Sequence, residues 1–114
     1  MITQVRPSDL AAWFSAHAQE HASPLVLDVR EPGEVAHASV RADGFEQLTS
    51  PMSYVPERLA QIDPERPVAC LCHHGVRSQR VAMFLAQQGF ERIANIAGGI
   101  DAWSAELDPG VQRY

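Results

Sequence analysis

The segment Cys72-His73-His74-Gly75-Val76-Arg77-Ser78 has the residue types expected of a loop that performs nucleophilic sulfur chemistry. It lies between a short apolar run and a segment with helical periodicity, so backbone N–H groups and the helix dipole would favour a thiolate at Cys72. Gly75 allows a positive φ that helps successive amides converge, and Arg77 adds a permanent charge on a planar fork of donors. We therefore predict an anion-binding loop with Cys72 as its nucleophile.

The two cysteines have different predicted roles. Free cysteine is among the most buried residue types, so Cys72 considered alone would be assigned to the core. The glycine, arginine and serine that follow it favour a nucleophile instead. Cys70 lies two residues earlier and therefore on the same face of a regular strand. We interpret Cys70 as core packing, with a resolving thiol as the alternative.

The adjacent histidines offer two further interpretations, a metal site and a general base. Cys70, Cys72, His73 and His74 fall within five consecutive residues, too close together to wrap one tetrahedral ion easily. Structural zinc sites usually draw pairs of ligands from separate segments. We predict no metal and no cofactor. A role as general base stays open for His73 or His74, although a nucleophile that is already a thiolate does not require one.

Short apolar runs alternate with segments of helical periodicity along the chain. Strands are predicted at 2–5, 25–29, 68–72 and 93–96, and helices from Pro7-Ser8-Asp9 to Ala18 and at 31–36, 55–62, 78–88 and 100–107, whereas 38–53 shows no clear period. Almost wholly apolar strands separated by helices predict a parallel sheet covered on both faces. Functional groups should then lie at the carboxyl ends of the strands.

A few polar residues and glycines outside the loop also carry predictions. Asp28 ends an apolar strand, where an unpaired carboxylate would be costly, so we expect it to bond Arg30 or backbone donors and to orient loops around the site. Gly98-Gly99 is interpreted as a close-packing turn, because two glycines alone are weak evidence for phosphate binding. His17 and His21 are interpreted as part of a solvated helix end.

Composition sets the remaining bounds. With 114 residues, 46% of them apolar and 20% charged, the chain fits a single folded domain spanning 1–114. Nine basic against fourteen acidic residues give a net charge of −5, which disfavours nucleic acid and anionic membranes as partners. No signal peptide pattern is visible, no run approaches the roughly 20 apolar residues that span a bilayer, and the two cysteines suit a reducing compartment. We expect a cytoplasmic protein.

Three motifs in combination resemble the single-domain rhodanese family of sulfurtransferases. They are Leu27-Asp28-Val29-Arg30-Glu31-Pro32, the Cys72 loop and Gly98-Gly99-Ile100-Asp101-Ala102-Trp103, in the order and spacing of that family. The resemblance implies a three-layer α/β fold with a central, mostly parallel five-stranded sheet flanked by helices on both faces. It implies that Cys72 carries a sulfane sulfur as a persulfide, and that Asp28 and Arg30 support the site. The extra sulfur would be held by the backbone amides of His73, His74, Gly75, Val76, Arg77 and Ser78, with the Arg77 side chain on the anionic part of the donor.

The implied reaction moves sulfur from a donor such as thiosulfate to a small thiol, a protein thiol or cyanide, in two half-reactions with ping-pong kinetics. A phosphatase or arsenate reductase of the same fold is disfavoured, because four residues separate Cys72 from Arg77 where those enzymes usually have five. A noncatalytic interaction module would have no need of a reactive thiol beside a fixed cation. The segment from Ala38 to Met52 departs from the family pattern and leaves the pocket rim, donor and acceptor unassigned.

Overall fold

The sheet has five parallel strands in the order β1-β5-β4-β2-β3. The computed structural model describes residues 2–20 and 22–114. Its strands are β1 (Thr3–Val5), β2 (Leu25–Asp28), β3 (Glu46–Thr49), β4 (Val68–Leu71) and β5 (Ile93–Ile96). Its α-helices are α1 (Leu10–Ala16), α2 (Pro32–His37), α3 (Val55–Arg58), α4 (Val76–Gln87) and α5 (Gly99–Glu106), with short 3-10 turns before α1 and on both sides of α3. None of these helices is long and apolar enough to cross a membrane.

Helices cover both faces of the sheet. Every residue of β2, β4 and β5 is buried, and alternate side chains of a strand point to opposite faces. Leu27 and Cys70 lie in a core that also contains side chains of α3 and α4. Val26 and Ala69 lie in a second core with side chains of α1 and α5. The predicted three-layer α/β fold is therefore confirmed.

The three central strands bring the candidate functional residues to one edge of the sheet. In the strand register Asp28 lies opposite Leu71, the residue before Cys72, and Asn95 lies opposite Cys70. Because the strands are parallel, their carboxyl ends share that edge, as predicted for an open α/β sheet.

Some element boundaries differ from the prediction. Strand β3 falls inside the segment without a clear period, because it is an edge strand whose side chains are only partly buried and carry no apolar run. Helix α1 ends before Ala18, which is exposed. Leu107 follows the last residue of α5 and is 48% exposed, so this leucine does not join the core as the helical pattern suggested.

His17 does not project freely into solvent. It follows α1, is partly buried, and its Nδ1 lies 2.9 Å from the carbonyl oxygen of Trp13. Its ring packs on the Trp13 ring with 4.7 Å between centroids. The residue therefore closes the end of α1 and is less solvated than the sequence suggested, whereas His21 lies outside the described residues.

Candidate active site

Cys72 lies directly after β4, in the loop that leads to the N-terminus of α4. Its side chain is almost fully enclosed, and the backbone N–H of Gly75 donates a hydrogen bond to Sγ at 3.0 Å. Gly75 is the N-cap of α4 and has a φ of +101°, so the predicted left-handed conformation is confirmed. The sulfur thus lies where an amide N–H and the positive end of a 12-residue helix face it.

Asn95 organises the floor of the loop. Its Nδ2 donates to the carbonyl oxygen of Gly75 at 3.0 Å and to Oε1 of Gln4 at 2.9 Å, so its Oδ1 faces Ser78 and accepts from Oγ at 2.5 Å. A hydroxyl has a single proton. Ser78 therefore presents an oxygen lone pair to Cys72 Sγ, 3.3 Å away, as long as it donates to Asn95. Rotation of that proton would let Ser78 donate to a negatively charged sulfur instead.

The glycine pair lets α5 approach the cysteine loop closely. The backbone N–H groups of Ile100 and Asp101 donate to the carbonyl oxygens of Cys72 and His73 at 2.8 and 3.2 Å. A Cβ atom on Gly99 would collide with those same carbonyl oxygens, and Gly99 has a φ of +59°. The interpretation of Gly98-Gly99 as a close-packing turn is confirmed.

Asp28 and Arg30 form a fully buried ion pair beside the loop. Arg30 donates from Nε and Nη2 to the two carboxylate oxygens of Asp28 at 2.9 and 2.7 Å, and its backbone N–H adds a bond of 3.2 Å. The predicted pairing is confirmed, because neither charge could be buried alone. Nη1 of Arg30 also donates to the hydroxyl of Tyr114 at 3.1 Å and to the carbonyl oxygen of Glu34 at 3.3 Å.

Arg77 is bound by a carboxylate. Its Nη1 and Nη2 donate to Oε1 and Oε2 of Glu34 at 2.6 and 2.8 Å, and Tyr114 donates its hydroxyl proton to Oε2 at 2.9 Å. The hydrogen bonds from Arg77 lower the pKa of Glu34 from 4.5 to about 2, and the bond to Glu34 raises the pKa of Arg77.

Local sequence holds Glu34 in place. Glu31 is the N-cap of α2, Pro32 occupies the first turn, and Glu34 is the third helical residue, so the two glutamates form a capping box. The backbone N–H of Glu31 donates to Oε1 of Glu34 at 3.2 Å. Helix α2 thereby presents the Glu34 carboxylate to Arg77.

The two loop histidines form an aromatic stack with Tyr114. The His73 ring lies between those of His74 and Tyr114, with 3.9 Å between centroids on each side. Within the described residues, Nε2 of His73 is buried and has no hydrogen-bond partner. His74 is exposed, and so is Val76, the first residue of α4.

His73, His74 and Asp101 could together offer three ligands to a metal ion. Their candidate ligand atoms lie within 4.8 Å of one another. Asp101, however, already accepts hydrogen bonds from Arg113 at 2.9 and 3.1 Å, which lower its pKa. A metal would have to displace Arg113, and the absence of a metal cofactor stays a prediction.

Cys70 occupies the core position predicted for it. It is fully buried, lies in the same hydrophobic cluster as Cys72, and burial raises the pKa of its thiol well above the usual range. A thiol that resists ionisation is a poor nucleophile. The core interpretation is confirmed.

A groove of about 700 Å³ lies between α1 and the carboxyl end of α5. Apolar side chains such as Phe14, Phe45 and Trp103 line it, and no predicted site residue takes part. The Cys72 loop and the groove are therefore separate features of the structure.

Three residues of the site were missed by the sequence analysis. Asn95 had a signal, since it is the single polar residue in the buried strand Ile-Ala-Asn-Ile. Glu34 had a weaker one, in its place within a capping box. Tyr114 lies outside the motifs and about 80 positions from its partners, and only the fold brings its hydroxyl to Glu34 and Arg30.

Comparison with protein families gives a match to the model described as Rhodanese-like domain, over residues 10–106. The chain is 36% identical over 80 residues to a protein named Sulfurtransferase from Allochromatium vinosum, covering 70% of this chain and 71% of that protein. It is 31% identical over 88 residues to Thiosulfate sulfurtransferase GlpE from Stutzerimonas stutzeri, covering 77% of each.

One further relative is a longer protein, and another similar protein has a crystal structure. The chain is 37% identical over 89 residues to Rhodanese-like/PpiC domain-containing protein 12, chloroplastic, from Arabidopsis thaliana, but this match spans only 30% of that protein. The crystal structure of a rhodanese-related protein from Thermoplasma volcanium superposes with a TM-score of 0.76 at 28% identity, covering 98% of this chain and 99% of the other.

Proposed function

Because this chain belongs to the rhodanese-like domain family, as its motifs predicted, we propose that it is a sulfurtransferase that carries sulfane sulfur on Cys72. The observation that supports the proposal is the position of Cys72 Sγ, which accepts a hydrogen bond from Gly75 at the N-terminus of α4 and lies 3.3 Å from Ser78 Oγ. This environment stabilises negative charge on sulfur in both the free and the loaded enzyme.

The reaction has two displacement steps. In the first, the Cys72 thiolate attacks the outer sulfur of a donor such as thiosulfate, the S–S bond of the donor breaks, and sulfite leaves with the electron pair. Cys72 is left as a persulfide anion. In the second, a thiolate or cyanide attacks the terminal sulfur and Cys72 leaves as the thiolate, ready for another cycle.

Groups around Cys72 have separate tasks in this scheme. The amides between His73 and Ser78 hold the negative terminal sulfur, and Arg77 attracts the anionic part of the donor. The Asp28–Arg30 pair fixes the turn that leads from β2 into α2. Removing one preorganised donor of this kind typically lowers the rate on the order of a hundredfold or more.

Intact-mass spectrometry after incubation with sulfane donors tests the proposal. We expect wild type to gain the mass of one sulfur atom, to lose it when cyanide is added, and to gain nothing as Cys72→Ser. Cys70→Ala is the matched control, because it removes the other thiol of the chain and should still load sulfur.

Two outcomes would overturn the assignment. If wild type gains no sulfur from thiosulfate, an alkyl thiosulfonate or an organic hydropersulfide, a noncatalytic interaction module becomes the better description. If it hydrolyses an aryl phosphate and turns over no sulfane donor, the site is that of a phosphatase.

A further inference from the structure

Two arginines beside the Cys72 loop are already neutralised by carboxylates. Arg30 is bound by Asp28 and Arg77 by Glu34, each through two guanidinium nitrogens. The chain has no lysine, and Arg80, one turn after Arg77 on α4, lines a separate small groove with Met52 and Phe84. An anionic donor therefore meets arginine charge here only together with carboxylate charge.

The Glu34 carboxylate is firmly held in this arrangement. Its Oε1 accepts from Arg77 and from the backbone N–H of Glu31, and its Oε2 accepts from Arg77 and from the Tyr114 hydroxyl. Since its pKa is about 2, Glu34 is negatively charged at neutral and at mildly acidic pH. A donor anion must compete with the Glu34 carboxylate, which already accepts hydrogen bonds from both terminal nitrogens of Arg77.

We infer that Glu34 is a specificity-determining residue that disfavours dianionic donors such as thiosulfate and favours donors with at most one negative charge. The inference rests on the proposed function, since it concerns the donor that loads Cys72. Suitable donors are alkyl thiosulfonates and organic hydropersulfides, whose leaving groups carry a single charge. Like charges placed close together in a partly enclosed site repel strongly, and opposite charges govern which partner is accepted.

The sulfur transfer balances for both preferred donors. With an alkyl thiosulfonate anion, Cys72 thiolate attacks the terminal sulfur, the S–S bond breaks, and an alkyl sulfinate leaves with the electron pair. With a hydropersulfide, the thiolate attacks the outer sulfur, which keeps its proton, and an organic thiolate leaves.

Thiosulfate and methanethiosulfonate are the sharpest pair of probes, because a methyl group replaces one charged oxygen and the shape is otherwise similar. In wild type we expect a higher kcat/KM for methanethiosulfonate. In Glu34→Gln we expect kcat/KM for thiosulfate to rise relative to methanethiosulfonate by on the order of tenfold, through a lower KM, because Arg77 becomes free to bind the second negative charge.

Glu91→Gln is the matched control. It removes the same charge from an exposed position just before β5, at the end of the strands opposite to Cys72. The ratio of kcat/KM for thiosulfate to that for methanethiosulfonate should stay unchanged. Tyr114→Phe is a second test variant that keeps the charge of Glu34 but removes one of its hydrogen bonds. It should shift the ratio in the same direction by a smaller factor.

The results separate this inference from the proposed function. A donor ratio that stays the same in Glu34→Gln and Tyr114→Phe, with both variants folded and loading sulfur, means that Glu34 does not set donor preference. A wild type that accepts sulfur from neither of these donors, and from no organic hydropersulfide, refutes the sulfurtransferase proposal itself.

Discussion

Two arginine–carboxylate pairs lie beside the Cys72 loop, and solvent reaches only one of them. The side chains of Asp28 and Arg30 are 0% exposed, whereas those of Glu34 and Arg77 are 23% and 33% exposed. Both pairs are bidentate, and Arg30 and Tyr114 link them through hydrogen bonds. Similar groups in similar geometry therefore occupy two electrostatic environments within one network.

Exposure decides what each pair can do. Removing one charge of a buried pair leaves the other without a counter-charge or water, which is strongly destabilising. The Asp28–Arg30 pair is therefore required for the stability of the fold. A pair open to solvent contributes little to stability. Substitution of Glu34 or Arg77 can therefore change the charge at this position without unfolding the protein.

The largest expected effect comes from breaking the buried pair. Asp28→Asn leaves the Arg30 guanidinium buried without a counter-charge, and we expect the free energy of unfolding to fall by about 3–5 kcal/mol. Urea denaturation followed by circular dichroism measures this loss. Glu34→Gln is the comparison at the exposed pair and should cost about 1 kcal/mol or less. Equal losses in the two variants would show that burial does not distinguish the pairs.

The next effect is on activity and concerns the cation of the exposed pair. Arg77→Gln leaves the Glu34 carboxylate facing the donor without its counter-charge, so kcat/KM for thiosulfate should fall on the order of a hundredfold, with stability nearly unchanged. Steady-state kinetics and thermal denaturation measure the two quantities. Arg80→Gln, one turn further along α4, is the control and should change neither. Unaltered thiosulfate kinetics in Arg77→Gln would remove Arg77 from donor binding.

The contrast between the pairs also marks what the sequence could reveal. Asp28 and Arg30 are two residues apart at the end of an apolar strand, so the high cost of an unpaired buried charge was enough to predict their bond. Arg77 and Glu34 are 43 positions apart, and their bond depends on how α2 and α4 meet. Sequence reasoning identified the cation and its position on the loop but had no means of finding its carboxylate partner.

The same distinction holds for the fold. The buried strands β2, β4 and β5 were predicted within one residue at each end, because strands covered on both faces must be continuous apolar runs. Strand β3 was missed, because an edge strand with partly buried side chains needs no such run. The loop from Cys72 to Ser78 was predictable from local chemistry, whereas the role of Asn95 beneath it required the register between β4 and β5.

The smallest expected effect is the dependence of the exposed pair on pH. Because Arg77 lowers the pKa of Glu34 from 4.5 to about 2 in the folded protein, the pair contributes stability above about pH 4.5 and loses it as the pH falls towards 2. We expect wild type to exceed Glu34→Gln in free energy of unfolding near neutral pH, and this difference to shrink steadily as the pH falls below 4.5. Urea denaturation at pH 7, 4 and 3 measures it, with Glu91→Gln as the control. A difference that stays constant down to pH 3 would mean that the Glu34 carboxylate is not held by Arg77 in solution, and the two pairs would then differ in geometry as well as in exposure.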